Sequence, residues 1–197
     1  MVGKLLREWT EDLLASIARP VSRTGVSPNL LSLFGFLAML GVSYVLALGH
    51  DRVAGLLMIP VGLFDALDGA LARVTGKATP FGAFLDSTLD RFSEIALYLG
   101  LLYLYRESTL ETVLIYLTIT GSLMVSYARA RAEGLDVECR VGLFTRFERL
   151  AILVVGLLLE QTLIALIILA IFTNLTVLQR MWHVWRVTTK ESKGHNP

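Results

Sequence analysis

The sequence predicts an all-α, polytopic membrane protein with six transmembrane helices behind an N-terminal interfacial amphipathic helix. Three observations lead there. The chain is 54% hydrophobic with a mean hydropathy of +0.62 over 197 residues, above the range of soluble domains. Charged and turn residues cut it into six apolar runs, at 30–49, 53–74, 81–105, 110–133, 146–160 and 162–185. The connections between them are a few residues long, which leaves no room for a separate soluble domain. In lipid such runs must satisfy their backbone internally, so a compact helical bundle follows. The predicted organisation is one membrane domain over 1–197: an interfacial helix at 1–25, the bundle at 30–185 and a cytoplasmic tail at 186–197.

At the N-terminus, Leu5, Leu6, Trp9, Leu13, Leu14 and Ile17 fall near one helical face, with Lys4, Arg7, Glu8, Glu11 and Asp12 elsewhere. That pattern suits a helix lying on the membrane surface, and equally a cap on the bundle. The segment has no apolar core of signal-peptide type, so no cleavable signal is expected. The first span opens on Ser27-Pro28-Asn29, ordinary helix-start chemistry. With the N-terminus placed inside, fifteen Lys and Arg fall in inside segments and only Arg52 and Arg106 in outside loops. This positive-inside asymmetry puts both termini in the cytoplasm. The formal net charge of +1 hides it; no nucleic-acid partner is expected. The single cysteine, Cys139, excludes an intramolecular disulfide and reads as an incidental thiol in a cytoplasmic loop.

The second and third spans carry what an apolar helix should not. They read Asp65-x2-Asp68-Gly69-x2-Ala72-Arg73 and, after eight residues, Gly82-x3-Asp86-x3-Asp90. A carboxylate in hydrocarbon costs several kcal/mol and rarely stays without a partner or a task. Asp65 and Asp68 are i,i+3 and Asp86 and Asp90 are i,i+4, so each pair shares a helix face. Four acids facing one point repel unless cations sit between them. Mg²⁺ or Mn²⁺ take oxygen ligands and also bind phosphates. The acids lie at the cytoplasmic ends of their helices, where nucleotides and metals are available. Gly69, Ala70, Ala72 and Gly82 are small, which lets helices approach closely or lets a flat base or phosphate near the backbone. Arg73, at the boundary, can clamp a diphosphate bidentately or snorkel to headgroups.

The pattern D-x2-D-G-x2-A-R-x8-G-x3-D-x3-D resembles the signature of the CDP-alcohol phosphotransferase family at every fixed position. The resemblance implies an enzyme that displaces CMP from a CDP-linked lipid with a hydroxyl acceptor, using Mg²⁺ or Mn²⁺, with two ions. It implies that Asp65, Asp68 and Asp86 ligate metal and that Asp90 is the general base; whether Asp90 also ligates metal stays open. It implies that Asp65, Gly69, Ala72, Arg73 and Gly82 bind the CDP-lipid, with Asn29 of the Pro-Asn pair touching the nucleotide. Glu94 reads as a buried polar group paired with Arg91 or another neighbour.

Arg129 and Arg131 end the fourth span, Arg146 and Arg149 share a face at the start of the fifth, and Arg180 lies on the cytoplasmic half of the last. Cationic side chains from three helices at one boundary would make an anion site. Topology alone accounts for Arg131, Arg140 and Arg186. The runs SYARARAEG, GLFTRFERL and TVLQR resemble those of the phosphatidylinositol-phosphate and archaetidylinositol-phosphate synthase branch. That branch implies inositol 1-phosphate as acceptor, its phosphate held by Arg129, Arg146, Arg149 and Arg180. The chain departs from the usual bacterial forms, which have lysine at Arg129 and Glu-Arg-Pro-Glu-Arg at Thr145–Arg149. The family also implies a homodimer in the cell membrane, its active site facing the cytoplasm. Two rivals are a phosphatidylglycerophosphate-type synthase using glycerol 3-phosphate and an ion-coupled transporter. Archaeol and diacylglycerol tails are equally compatible with the generic Leu, Ile and Val surface.

Overall fold

A computed structural model describes residues 16–20, 22 and 25–194, apart from the side chains of Asp65 and of 190–194. Six helices follow one another: α1 Pro28–Ala47, α2 Asp51–Thr75, α3 Pro80–Leu104, α4 Thr109–Glu133, α5 Arg146–Leu158 and α6 Thr162–Gly194. There is no strand among the described residues. Each helix begins within two residues of its predicted start, and α6 runs nine residues past its predicted end at 185. Residues 1–15 of the expected interfacial helix lie outside the described residues. Residues 16–20 are helical, and Ala18 packs against Ala70 and Leu71 of α2.

Four helices, α1, α2, α4 and α6, are long and apolar enough to cross a membrane. The protein is therefore a multi-pass membrane protein. The other two fall short for visible reasons. α3 carries Asp86, Asp90, Arg91 and Glu94. α5 has 13 residues, about 20 Å of helix against about 30 Å of hydrocarbon.

The chain divides into two compact units, Met1–Gly100 and Leu101–Pro197. In the first, Ser27 caps α1, its Oγ accepting from Leu30 N at 3.2 Å, with Pro28 in the first turn. Ser32, Gly35, Met39, Val42 and Leu46 form one buried stripe on α1, and the helix packs along α2. The opposite side exposes Phe34, Leu37 and Tyr44, as lipid-facing positions do. Gly76 ends α2 in the left-handed region at φ 64°, and its N–H reaches the carbonyls of Ala72 and Arg73. A three-residue loop then leads to Pro80. Near the far end of α3, a Cβ on Gly100 would lie 2.4 Å from the Ser43 carbonyl oxygen. Only glycine lets α1 and α3 meet so closely, and Ser43 Oγ donates to the Ala96 carbonyl at 2.5 Å beside it.

In the second unit α4 and α5 both pack on α6. Gly121 of α4 meets Thr173 and Asn174, and Gly156 of α5 meets Ala165, each too closely for a side chain. Asn174 Nδ2 donates across to the Leu117 carbonyl at 3.2 Å. Thr145 and Glu148 form a capping box at the start of α5, Thr145 N donating to Glu148 Oε2 at 2.9 Å. Cys139 sits in the loop before α5, fully buried with Ala132 and Val137. Its thiol is a packing group, in line with an incidental cysteine.

Candidate active site

The first unit contains a pocket of about 210 Å³ between the start of α1, the end of α2 and the start of α3. Seven residues singled out from sequence line it: Asn29, Asp68, Gly69, Ala72, Arg73, Gly82 and Asp86. They converge because α2 ends at Gly76 and α3 restarts at Pro80. The tight turn brings the last turns of one helix beside the first turns of the next.

Each small residue has a visible use. A Cβ on Gly69 would lie 3.6 Å from Arg73 Nη1, so the guanidinium folds back over the bare backbone of Gly69. A Cβ on Gly82 would lie 3.0 Å from Asn29 Oδ1 and 3.1 Å from Thr79 Oγ1. The carboxamide of Asn29 thus rests against α3, and Thr79 Oγ1 accepts from Gly82 N at 3.0 Å to cap that helix.

Asp68 is buried, 3% exposed, and accepts a hydrogen bond of 2.5 Å from Ser32 Oγ of α1. The same hydroxyl lies 3.2 Å from the Pro28 carbonyl, a weaker alternative. Sequence reading missed Ser32. Its only signal was its place one turn after Pro28-Asn29, and a serine in an apolar helix ordinarily bonds its own backbone. Lys77 and Thr79 also line the pocket.

Asp90, one turn beyond Asp86, is not among the lining residues, and it pairs with Arg91 at 3.3 Å. The side chain of Asp65 lies outside the described residues. Among the described residues no three of His, Cys, Asp and Glu cluster as a metal site. Asp68 and Asp86 nevertheless present oxygen ligands to one pocket that also receives Arg73 and Lys77. Hard-cation ligands beside phosphate-binding cations suit a divalent metal bound together with a diphosphate.

The predicted acceptor arginines belong to the second unit. Arg149 is buried, 1% exposed, and its Nη1 donates to the Phe144 carbonyl at 3.3 Å. Arg180 is 4% exposed, its Nε donating to the Val141 carbonyl at 2.9 Å and its Nη1 to the Val125 carbonyl. The two bonds of Arg180 use two of the five N–H donors of a guanidinium. Arg129 pairs with Glu133 at 2.8 Å, and both Arg129 and Arg149 lie within Coulombic reach of Arg180. Arg146 is half-buried in the first turn of α5. Three of the four cations are thus electrostatic neighbours, although three different helices, α4, α5 and α6, supply them.

A helical multi-pass membrane protein with carboxylates, an arginine and bare glycine backbone around one pocket is of the class that works on lipid-linked phosphates. The chain belongs to the CDP-alcohol phosphatidyltransferase family, whose profile matches residues 25–188. It is a membrane phosphotransferase. The archaetidylinositol phosphate synthase of Pyrococcus horikoshii is 36% identical over 92% of this chain and 95% of its own length. A crystal structure of Mycobacterium tuberculosis phosphatidylinositol phosphate synthase with CDP-DAG bound superposes with a TM-score of 0.82 at 29% identity, covering 88% of this chain and 94% of that one. The same enzyme in complex with manganese and citrate gives 0.82 and 29% over 87% of this chain and 88% of that one.

Proposed function

We propose that this protein transfers the phosphatidyl-type group of a CDP-lipid, CDP-archaeol or CDP-diacylglycerol, to inositol 1-phosphate and releases CMP. The observation that carries the reading is the gathering of Asn29, Gly69, Ala72, Arg73 and Gly82 around Asp68 and Asp86 in one pocket. The inositol phosphate synthases among its relatives support the acceptor.

In this reading Asp65, Asp68 and Asp86, with Asp90 as a further candidate, hold Mg²⁺ or Mn²⁺. The bound metal neutralises charge on the diphosphate and on the leaving CMP. Asn29, Gly69, Ala72 and Gly82 take the cytidine nucleotide, and Arg73 takes the diphosphate. Asp90 accepts the proton of the acceptor hydroxyl as its oxygen attacks the phosphorus bearing the lipid. The phosphoanhydride bond breaks, and CMP departs with its electron pair. Arg129, Arg146, Arg149 and Arg180 hold the acceptor's phosphate. The chain acts as a single membrane domain with six spans, both termini and the active site on the cytoplasmic side, the first 25 residues on the membrane surface, and a homodimer as its assembly. The buried arginines beside α5 suit an acceptor that is already an anion.

The test is CMP release by the purified protein with a CDP-lipid, a divalent metal and inositol 1-phosphate, with mass spectrometry of the lipid product. Turnover with glycerol 3-phosphate and none with inositol 1-phosphate would move the enzyme to the phosphatidylglycerophosphate type. No CMP release from any CDP-lipid would favour the transporter.

A further inference from the structure

The loop between α4 and α5 lies along a single face of α6, and that face is polar where it meets the loop. Thr176 Oγ1 accepts from Phe144 N at 3.1 Å while donating to the Phe172 carbonyl at 2.7 Å, so both its hydrogen-bonding functions are used. Gln179 Oε1 accepts from Leu143 N at 3.2 Å. Arg180 Nε donates to the Val141 carbonyl at 2.9 Å, and His183 Nε2 bonds the Glu138 carbonyl at 3.0 Å. The Phe144 ring stacks on Phe172 with centroids 4.9 Å apart. Residues 172, 176, 179, 180 and 183 recur at helical spacing and share one face. Gly142 beneath them has φ 139°, and a Cβ there would lie 2.7 Å from Thr176 Cγ2, so the loop passes where only glycine fits.

The held peptide leads to an arginine. Phe144 offers its N–H to Thr176 and its carbonyl to Arg149 Nη1. Thr145 and Glu148 then start α5 directly, with Arg146 in its first turn. A shift of Phe144 would therefore move the hydrogen-bond partner of Arg149 and the origin of the helix that carries Arg146.

We propose that Thr176 and Gln179 are positioning residues, which clamp the 141–144 backbone and through it set Arg146 and Arg149 for the acceptor's phosphate. The inference rests on the acceptor reading above and assigns a second function to the TVLQR run, alongside the contribution of Arg180. Neither Thr176 nor Gln179 touches substrate in this scheme.

The test uses full-length protein in detergent and the variants T176V, T176S and Q179L. T176V removes the acceptor for Phe144 N at constant shape, and T176S retains it. Losing one such hydrogen bond predicts a rise in KM for inositol 1-phosphate of about 3–10-fold in T176V and Q179L. KM for CDP-lipid stays within about twofold, as expected for a change confined to the acceptor arginines, and T176S restores the wild-type KM. Hydrogen–deuterium exchange, read without any acceptor, should be faster over 141–148 in T176V and unchanged in T176S. Wild-type exchange in T176V, or equal rises in both KM values, would overturn the proposal. If the wild-type protein uses glycerol 3-phosphate alone, the inositol reading fails, and the same KM comparison with that phosphorylated acceptor still decides the clamp.

Discussion

Ser32→Ala is the sharpest probe of the acidic pocket, because it removes one hydroxyl and leaves every aspartate in place. Ser32 and Asp68 are 9% and 3% exposed, and their hydrogen bond is 2.5 Å long. A hydrogen bond to a charged group contributes about 1.5–3 kcal/mol, which corresponds to about 10–150-fold in an equilibrium constant. Loss of the groups that orient metal ligands costs about 10–100-fold in metal affinity or activity. The two ranges agree, so the concentration of Mn²⁺ or Mg²⁺ giving half-maximal CMP release should rise by about 10–100-fold in S32A. Ser32→Thr, which keeps the hydroxyl, should recover most of it. The assay is CMP release at fixed CDP-lipid and acceptor over a metal titration, with a thermal melt to show that the variant is folded. A folded S32A protein whose metal dependence lies within twofold of wild type would refute the coupling of Ser32 to a metal ligand.

Asp90→Asn keeps the size of the side chain and removes its basicity, so kcat should fall by about 10²–10⁴-fold with little change in CDP-lipid binding, measured by turnover and by nucleotide titration. Arg146→Ala should raise KM for the phosphorylated acceptor by about tenfold or more and leave CDP-lipid KM unchanged, since one charge-assisted contact is lost. Gly121→Ala places a Cβ 2.4 Å from Thr173 Oγ1, whose side chain is fully buried and bonded to the Leu169 carbonyl. It should destabilise the protein by about 1–3 kcal/mol in a denaturant or thermal melt, through overpacking of α4 on α6.

Hydropathy made the helices legible because a membrane helix must be apolar along its length; the predicted run at 53–74 became Asp51–Thr75. The pocket was legible for the opposite reason, since acids at fixed helical offsets inside apolar runs have few bland explanations. Seven of the named residues line one cavity as a consequence. What stayed hidden depends on contacts between distant segments. Ser32 is 36 residues from Asp68, and nothing local distinguishes it from Ser43, which bonds a backbone carbonyl on α3. The TVLQR run read as part of an anion site, whereas Thr176 and Gln179 bond backbone amides of a loop more than thirty residues away. Cys139 lay in a segment that reads polar, and its burial depends on Val137 and on Val184 and Val187 of α6. Periodicity reports which face of a helix is apolar, and it does not report what a polar side chain on that face will meet.

α6 has 33 residues, about 50 Å of helix, while a bilayer's hydrocarbon core takes up about 20 residues of it. Counted from Thr162, that core ends near Trp182, and Trp182 and Trp185, with ring centroids 4.9 Å apart, then fall at headgroup depth. The amides of Leu143 and Phe144 would then lie at the inner edge of the oil, where bulk water is scarce. Irregular backbone survives at that depth only if protein takes over the work of solvent. The side chains of Thr176, Gln179, Arg180 and His183 do this for one short loop, acting as a built-in hydration shell. The loop can thereby sit below the water line without leaving its peptide groups bare in lipid.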